Sequence, residues 1–148
     1  MTISATRSSQ SGVALLEALI AILLFSFSIL ALVGLQSVMI RSSMDAKFRA
    51  DAAYLANQII GRMWVDQANI TTNYPLNAAA GLCAAGTNAS AHPPVASWLS
   101  DIGRALPGTG TLRQQITVGA NNLVTVTICW KLPQETTTHN YTATAQIN

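Results

Sequence analysis

Gly12-Val-Ala-Leu-Leu-Glu17 opens a segment that then runs without a single charge from Ala18 to Ile40, ALIAILLFSFSILALVGLQSVMI. A helix of roughly 20 apolar residues crosses a bilayer core, so this run is long enough to span a membrane. Glu17 stands at its edge. A carboxylate there is costly in hydrocarbon and reads as a functional group that needs a partner. Upstream, residues 1–12 carry one arginine, Arg7, no acid and several serines. A secretory signal peptide also has a basic start and an apolar run, but its run is shorter and closes on small residues of Ala-x-Ala type. Here the segment continues through Phe25, Phe27, Leu35 and Met39 with no such site directly after it, and no cysteine follows to mark a lipoprotein. A plain signal anchor accounts for the length but not for the placed Gly12 and Glu17.

Beyond Ile40 the helical pattern continues. Met44, Phe48, Ala52, Leu55, Ile59 and Met63 recur at spacings of four, four, three, four and four, one apolar stripe of an amphipathic helix. The other faces carry Arg41, Asp45, Lys47, Arg49, Asp51, Asn57, Gln58 and Arg62, with Asp45 and Arg49 in the favourable acid-first i,i+4 order. No proline interrupts Val13 to Gln67. The pattern predicts one helix over that span, about 80 Å long at 1.5 Å per residue. Its first half is apolar all round and suits lipid or a filament core; its second half needs a small domain to cover one side. Gly34 and Gly61 are its soft points, each costing about 1 kcal/mol relative to alanine.

Residues 68–96 read as a loop, punctuated by Pro75, Pro93 and Pro94 and holding an Ala/Gly/Asn-rich run from Asn77 to Ala91. Ser97 to Leu106 reads as a short helix capped by Ser97, with Trp98, Ile102 and Leu106 at four-residue spacing and Pro107-Gly108 ending it. The last third alternates. Leu112, Gln114, Ile116 and Val118 share one face of a first strand, and Gly119-Ala-Asn-Asn122 is a turn signal. Leu123-Val-Thr-Val-Thr-Ile-Cys-Trp130 is the strongest strand, rich in β-branched residues, and Tyr141, Ala143, Ala145 and Ile147 mark a third. Short connections predict an antiparallel meander with one face on the helix stripe. The fold class is therefore α+β: a long N-terminal helix packed on a small C-terminal antiparallel sheet.

Composition excludes several functions. The chain has 148 residues, enough for one small domain beside the apolar segment, and a net charge of only +2. There is no basic run or basic–aromatic interleaving, so nucleic acid is not an expected partner. Only two histidines occur, His92 and His139, both in loop-like segments, and neither forms a ligand or nucleophile spacing with Cys83 or Cys129. No glycine-rich phosphate loop is present. An enzymatic role, a metal and a cofactor are not expected. Cys83 and Cys129 lie beyond the apolar segment. In an exported domain such a pair reads as a disulfide; in a cytosolic one it would be two buried thiols. Asn69, Asn88 and Asn140 each begin an Asn-x-Ser/Thr triplet, which would matter only in a eukaryotic secreted protein.

A short basic leader, then Gly12, four apolar or small residues, Glu17 and an unbroken apolar helix resembles the leader junction of type IV pilins and pseudopilins. Further pieces extend the likeness over nearly the full chain: Leu30-Ala-Leu-Val-Gly34-Leu-Gln36, Tyr54-Leu-Ala-Asn-Gln-Ile-Ile60, Trp98 before Leu106-Pro-Gly108, and Val124-Thr-Val-Thr-Ile-Cys-Trp130. Together they are most similar to the PilV-like minor pilins of type IV pilus assembly. The family most often has Phe and then Ser or Thr after the glycine, where this chain has Val13 and Ala14.

The resemblance implies cleavage by a prepilin peptidase between Gly12 and Val13, N-methylation of Val13, and pairing of Glu17 with the new amine of a neighbouring subunit. It implies a division into a leader (1–12), a transmembrane assembly helix (13–40), its amphipathic continuation (41–67) and a periplasmic α+β domain (68–148). Its partners would be other minor and major pilin subunits, the peptidase and the inner-membrane assembly platform. The location would be the bacterial inner membrane, with a single pass and a periplasmic C-terminal domain, and low copy in the pilus. Export favours a Cys83–Cys129 disulfide across the outer side of the sheet. Charge opposes this orientation: Arg41, Lys47 and Arg49 outnumber Arg7 and the N-terminal amine, and the positive-inside rule counts such residues. The leader motif and the cysteines point to export independently. Two other readings stand beside this one: a minor pseudopilin of a type II secretion system, and an uncleaved membrane-anchored binding domain.

Overall fold

The computed structural model of the protein describes residues 11–133 and 135–148. Of the expected leader, residues 1–10 lie outside the described residues. Helix α1 runs from Ser11 to Val65, 55 residues without interruption. Among the described residues it reaches back past the predicted Val13 to Ser11, and it stops two residues before the predicted Gln67. Gly34 and Gly61 both lie in regular helix, so neither breaks it. Helix hydrogen bonds along a proline-free run outweigh about 1 kcal/mol per glycine.

Contacts divide the chain into a unit ending at Met44 and a second unit, Asp45–Asn148. In the first, every residue from Gly12 to Met44 is exposed. Two serines lie inside this apolar run. Ser26 Oγ donates to the Ile22 carbonyl at 2.8 Å and Ser28 Oγ to the Leu24 carbonyl at 2.9 Å. Back-bonding to i−4 satisfies each hydroxyl within its own helix, which a solvent-free environment requires.

The second unit has a core. Ala52, Leu55, Ala56, Ile59, Ile60 and Met63 of α1 are buried against Val95, Trp98 and Ile102 and against Ile116, Val124, Val126, Ile128, Trp130 and Ile147. The predicted stripe is thus buried from Ala52 onward, with Phe48 half-buried and Met44 exposed. After a 3-10 turn at Gln67–Asn69, a single helical turn α2 spans Ile70–Asn73. This corrects the loop reading of residues 68–96. Ile70, Tyr74 and Leu76 are buried there, an anchoring too short to show as a period in the sequence.

Helix α3 spans Pro93–Ala105, with His92 as N-cap. Its predicted start at Ser97 is therefore wrong. Pro93 and Pro94 begin the helix instead of preceding it, because proline has the right φ for a first turn and no N–H to leave unpaired. Ser97 is not a cap: its Oγ donates to the Pro94 carbonyl and accepts from Arg62 Nη1 at 2.8 Å. Trp98 Nε1 donates to the Leu55 carbonyl at 2.9 Å, fixing α3 on α1. Gly108 follows with φ 67°, and a Cβ there would meet the Lys131 carbonyl at 2.6 Å.

Strands β1 (Gln115–Val118), β2 (Leu123–Trp130) and β3 (His139–Gln146) form one antiparallel sheet in the order β1-β2-β3. The predicted meander is present. Val118 pairs with Val124, and Val126 with both Ile116 and Ala143. The β1–β2 turn uses left-handed φ at Asn121 (55°) and Asn122 (54°), which asparagine tolerates better than other non-glycine residues. Gln114 extends this sheet by its side chain. It is buried, accepts from the Cys129 N–H at 2.7 Å and donates to the Cys129 carbonyl at 3.0 Å. A side-chain amide thus replaces one backbone rung beyond Gln115.

Candidate functional site

The candidate site is the N-terminal part of α1. Gly12 and Val13 lie at the start of its described span, and Glu17 follows one turn later. Helical spacing places Val13 and Glu17 on one face, about 6 Å apart along the axis. Glu17 is exposed, as are Leu16 (62%), Leu19 (67%) and Phe25 (66%). Large side chains this exposed from Val13 to Met44 are a surface for lipid or for another apolar helix. This is the one helix among the described residues long and apolar enough to cross a membrane, with a mean hydropathy of 2.8 over its most apolar window. Among the described residues Glu17 has no ion pair or side-chain hydrogen bond.

The Gly12–Val13 bond lies within the described part of helix α1.

Cys83 and Cys129 are joined in a disulfide with Cα atoms 5.5 Å apart. Cys129 occupies the β2 face opposite Val126, Ile128 and Trp130, as alternation predicts, yet it is fully buried. The segment 77–88 lies over it. Cys83 takes a left-handed φ of 51°. The bridge is one of several ties. Asn88 Oδ1 accepts from the Gln114 N–H at 2.7 Å and its Nδ2 donates to the Leu112 carbonyl at 2.8 Å. Asn77 Nδ2 donates to the Gln114 carbonyl at 2.9 Å, and Gln115 Nε2 to the Ala80 carbonyl at 2.6 Å. Asn77, Asn88 and Gln114 had no signal in the sequence as a network; asparagines in an Ala/Gly-rich run were the only trace of it.

The two histidines are separate. His92 packs edge-on to Tyr74, with ring centroids 4.8 Å apart. Burial, and then the nearby Asp66 carboxylate, raise the Tyr74 hydroxyl above the ordinary value of 10.0. His139 stacks on Trp130 and lies between two carboxylates, with Nε2 2.8 Å from Glu135 and Nδ1 3.7 Å from Asp45. Asp45 is also held by Arg49 at 3.0 Å. Among the described residues no group of three or more His, Cys, Asp or Glu side chains is placed to hold a metal ion.

No protein-family model, curated protein or solved structure matches the chain. The function is therefore argued from these residues and their geometry.

Proposed function

We propose that the chain is a minor pilin that takes part in starting or modifying a type IV pilus, held as a single-pass protein in the bacterial inner membrane with its C-terminal domain in the periplasm. One observation carries the reading: a lone carboxylate, Glu17, at the edge of a wholly exposed apolar helix that continues unbroken into the core helix of a small disulfide-tethered domain. A signal anchor needs neither that carboxylate nor that continuity.

The mechanism follows from charge and surface. A prepilin peptidase cuts after Gly12 and leaves Val13 with a free, then methylated, amine that stays positive. In lipid an isolated Glu17 carboxylate is expensive. An amine one turn away on the same chain, or on a neighbour, offsets part of that cost. When a subunit leaves the bilayer for the filament, the neighbour's amine makes the pair. A subunit at the wrong height keeps a buried charge unpaired, so the pair selects register. The exposed apolar surface of α1 then packs on other pilin helices, where van der Waals contact replaces lipid. Other minor and major pilins, the peptidase and the inner-membrane assembly platform are the partners on this reading, and the protein is a trace component of the pilus.

Intact-mass analysis of membrane-extracted protein made with the peptidase tests it. The expected N-terminus is methylated Val13. A chain starting at Met1 in that background overturns the pilin reading and leaves an uncleaved anchored domain.

A further inference from the structure

The two edges of the sheet are treated differently. The outer edge of β1 is closed: Leu76 N–H donates to the Ile116 carbonyl and Ile116 N–H to the Leu76 carbonyl, both at 3.0 Å. A second bridge pairs Ala85 with Leu112. The outer edge of β3 has no such cover. Among the described residues no backbone hydrogen bond reaches it from another segment between His139 and Gln146. In an antiparallel strand half of the N–H and C=O groups point away from the partner strand, so β3 presents a row of unpaired donors and acceptors.

The strand also lacks the devices that protect an edge. His139-Asn-Tyr-Thr-Ala-Thr-Ala-Gln146 contains no proline, lysine, aspartate or glutamate. It pairs with β2 residue for residue from Leu123↔Gln146 to Trp130↔His139, with no bulge. Open, straight and uncharged edges template strand addition.

We propose that the β3 edge pairs antiparallel with β3 of a second copy of this chain, joining two three-stranded sheets into one six-stranded sheet. The sequence of the edge selects that occupant. A two-fold axis at Thr142 or at Ala143 keeps each face against its own kind. With the axis at Ala143, Tyr141 lies opposite Ala145 and Thr142 opposite Thr144. With the axis at Thr142, Tyr141 lies opposite Ala143 and Asn140 opposite Thr144. With the axis at Thr142 the half-buried inner residues meet as large against small, Tyr141 on Ala143 and His139 on Ala145; with the axis at Ala143, Tyr141 meets Ala145 and two alanines meet on the axis. The exposed outer residues meet as uncharged hydrogen-bonding pairs. No like charges are brought together, which is the usual bar to self-pairing. A single strand pair buries less than the roughly 1,200 Å² of a standard interface, so the contact is weak in dilute solution and is favoured where copies are confined to one membrane. The inference does not depend on the pilin reading.

The test uses the full chain in lipid nanodiscs or mild detergent. Single cysteines at Thr142 and at Ala143 are compared with one at Asn57 on the exposed face of α1. One of the two β3 variants should give an oxidised dimer in severalfold excess over the Asn57 control. A double variant, Thr142→Lys with Thr144→Lys, sets lysines near one another across the axis and should weaken dimerisation in sedimentation velocity by roughly tenfold or more. Both threonines are exposed, and far-UV circular dichroism checks that the sheet persists. Cross-linking no better than the control at both positions overturns the proposal. So does a dimer that survives the double lysine variant, since it would be held by another surface such as α1.

Discussion

Removing the Cys83–Cys129 bridge should lower the stability of the domain by about 4 kcal/mol, and the size of that loss is what makes the experiment decisive. The perturbation is the double variant Cys83→Ala, Cys129→Ala. The cysteines are separated by 46 positions. In the chain-entropy treatment a loop of that length costs the unfolded chain roughly 13 cal/mol/K, which is about 4 kcal/mol at 25 °C. That is a large share of the 5–15 kcal/mol that holds a typical domain folded. The folded state should change little, because segment 77–88 keeps the Asn77, Asn88 and Gln115 hydrogen bonds and the backbone bonds from Gly86 to Thr111 and from Arg113 to Ala84. The assay is urea unfolding of the full chain in detergent, read by the fluorescence of the buried Trp98 and Trp130. With a slope of about 1–2 kcal/mol per molar urea for a domain of this size, the midpoint should fall by about 2–4 M. If the midpoint moves by less than about 0.5 M, the bridge does not act through the unfolded chain. If it is unchanged while hydrogen exchange accelerates only between residues 77 and 91, the bridge orders a local segment and the reasoning fails.

Three further outcomes are expected, the first from the proposed function and the others from the geometry. If the proposed pilin role holds, Glu17→Ala should leave domain folding and membrane insertion unchanged but impair cross-linking to pilin subunits; unchanged cross-linking would take Glu17 out of the proposed mechanism. Gln114→Leu should cost about 3 kcal/mol, because it leaves the buried Cys129 N–H and carbonyl without partners, and thermal unfolding measures it. Tyr74 has a folded pKa raised above 10.0, so the folded state holds its proton where the unfolded chain releases it. The stabilisation is complete below pH 10 and is lost as pH rises through the folded value. Tyr74→Phe should flatten that alkaline decline, and a slope identical to the parent would show that Tyr74 is not its source.

Much of this protein is legible residue by residue because its strongest signals are periodic and local. The four-and-three spacing from Ala52 to Met63 and the alternation of Val124, Val126, Ile128 and Trp130 state which face must leave water, and those residues are buried, while the uncharged run from Ala18 to Ile40 states that a whole surface needs lipid or another apolar helix and is exposed along its length. The lone Glu17 is legible for the same reason: a carboxylate among apolar residues is conspicuous without any coordinates. What tertiary structure decided is the part where the chain is short of pattern. Pro93 and Pro94 could end a loop or begin a helix, and the packing of Val95 and Trp98 against α1 chose the helix. Ile70 and Tyr74 anchor a turn that has no period to betray it. Gln114 reads as one more alternating strand residue, yet the ladder ends beside it and its amide takes over the backbone's bonds to Cys129. Asn77 and Asn88 become ties only because β1 and its approach lie beneath them. Hydrophobic periodicity is written in neighbours along the chain. The pairing of polar groups distant in sequence depends on which backbone donors and acceptors the finished fold leaves unfilled, and only the folded chain specifies those.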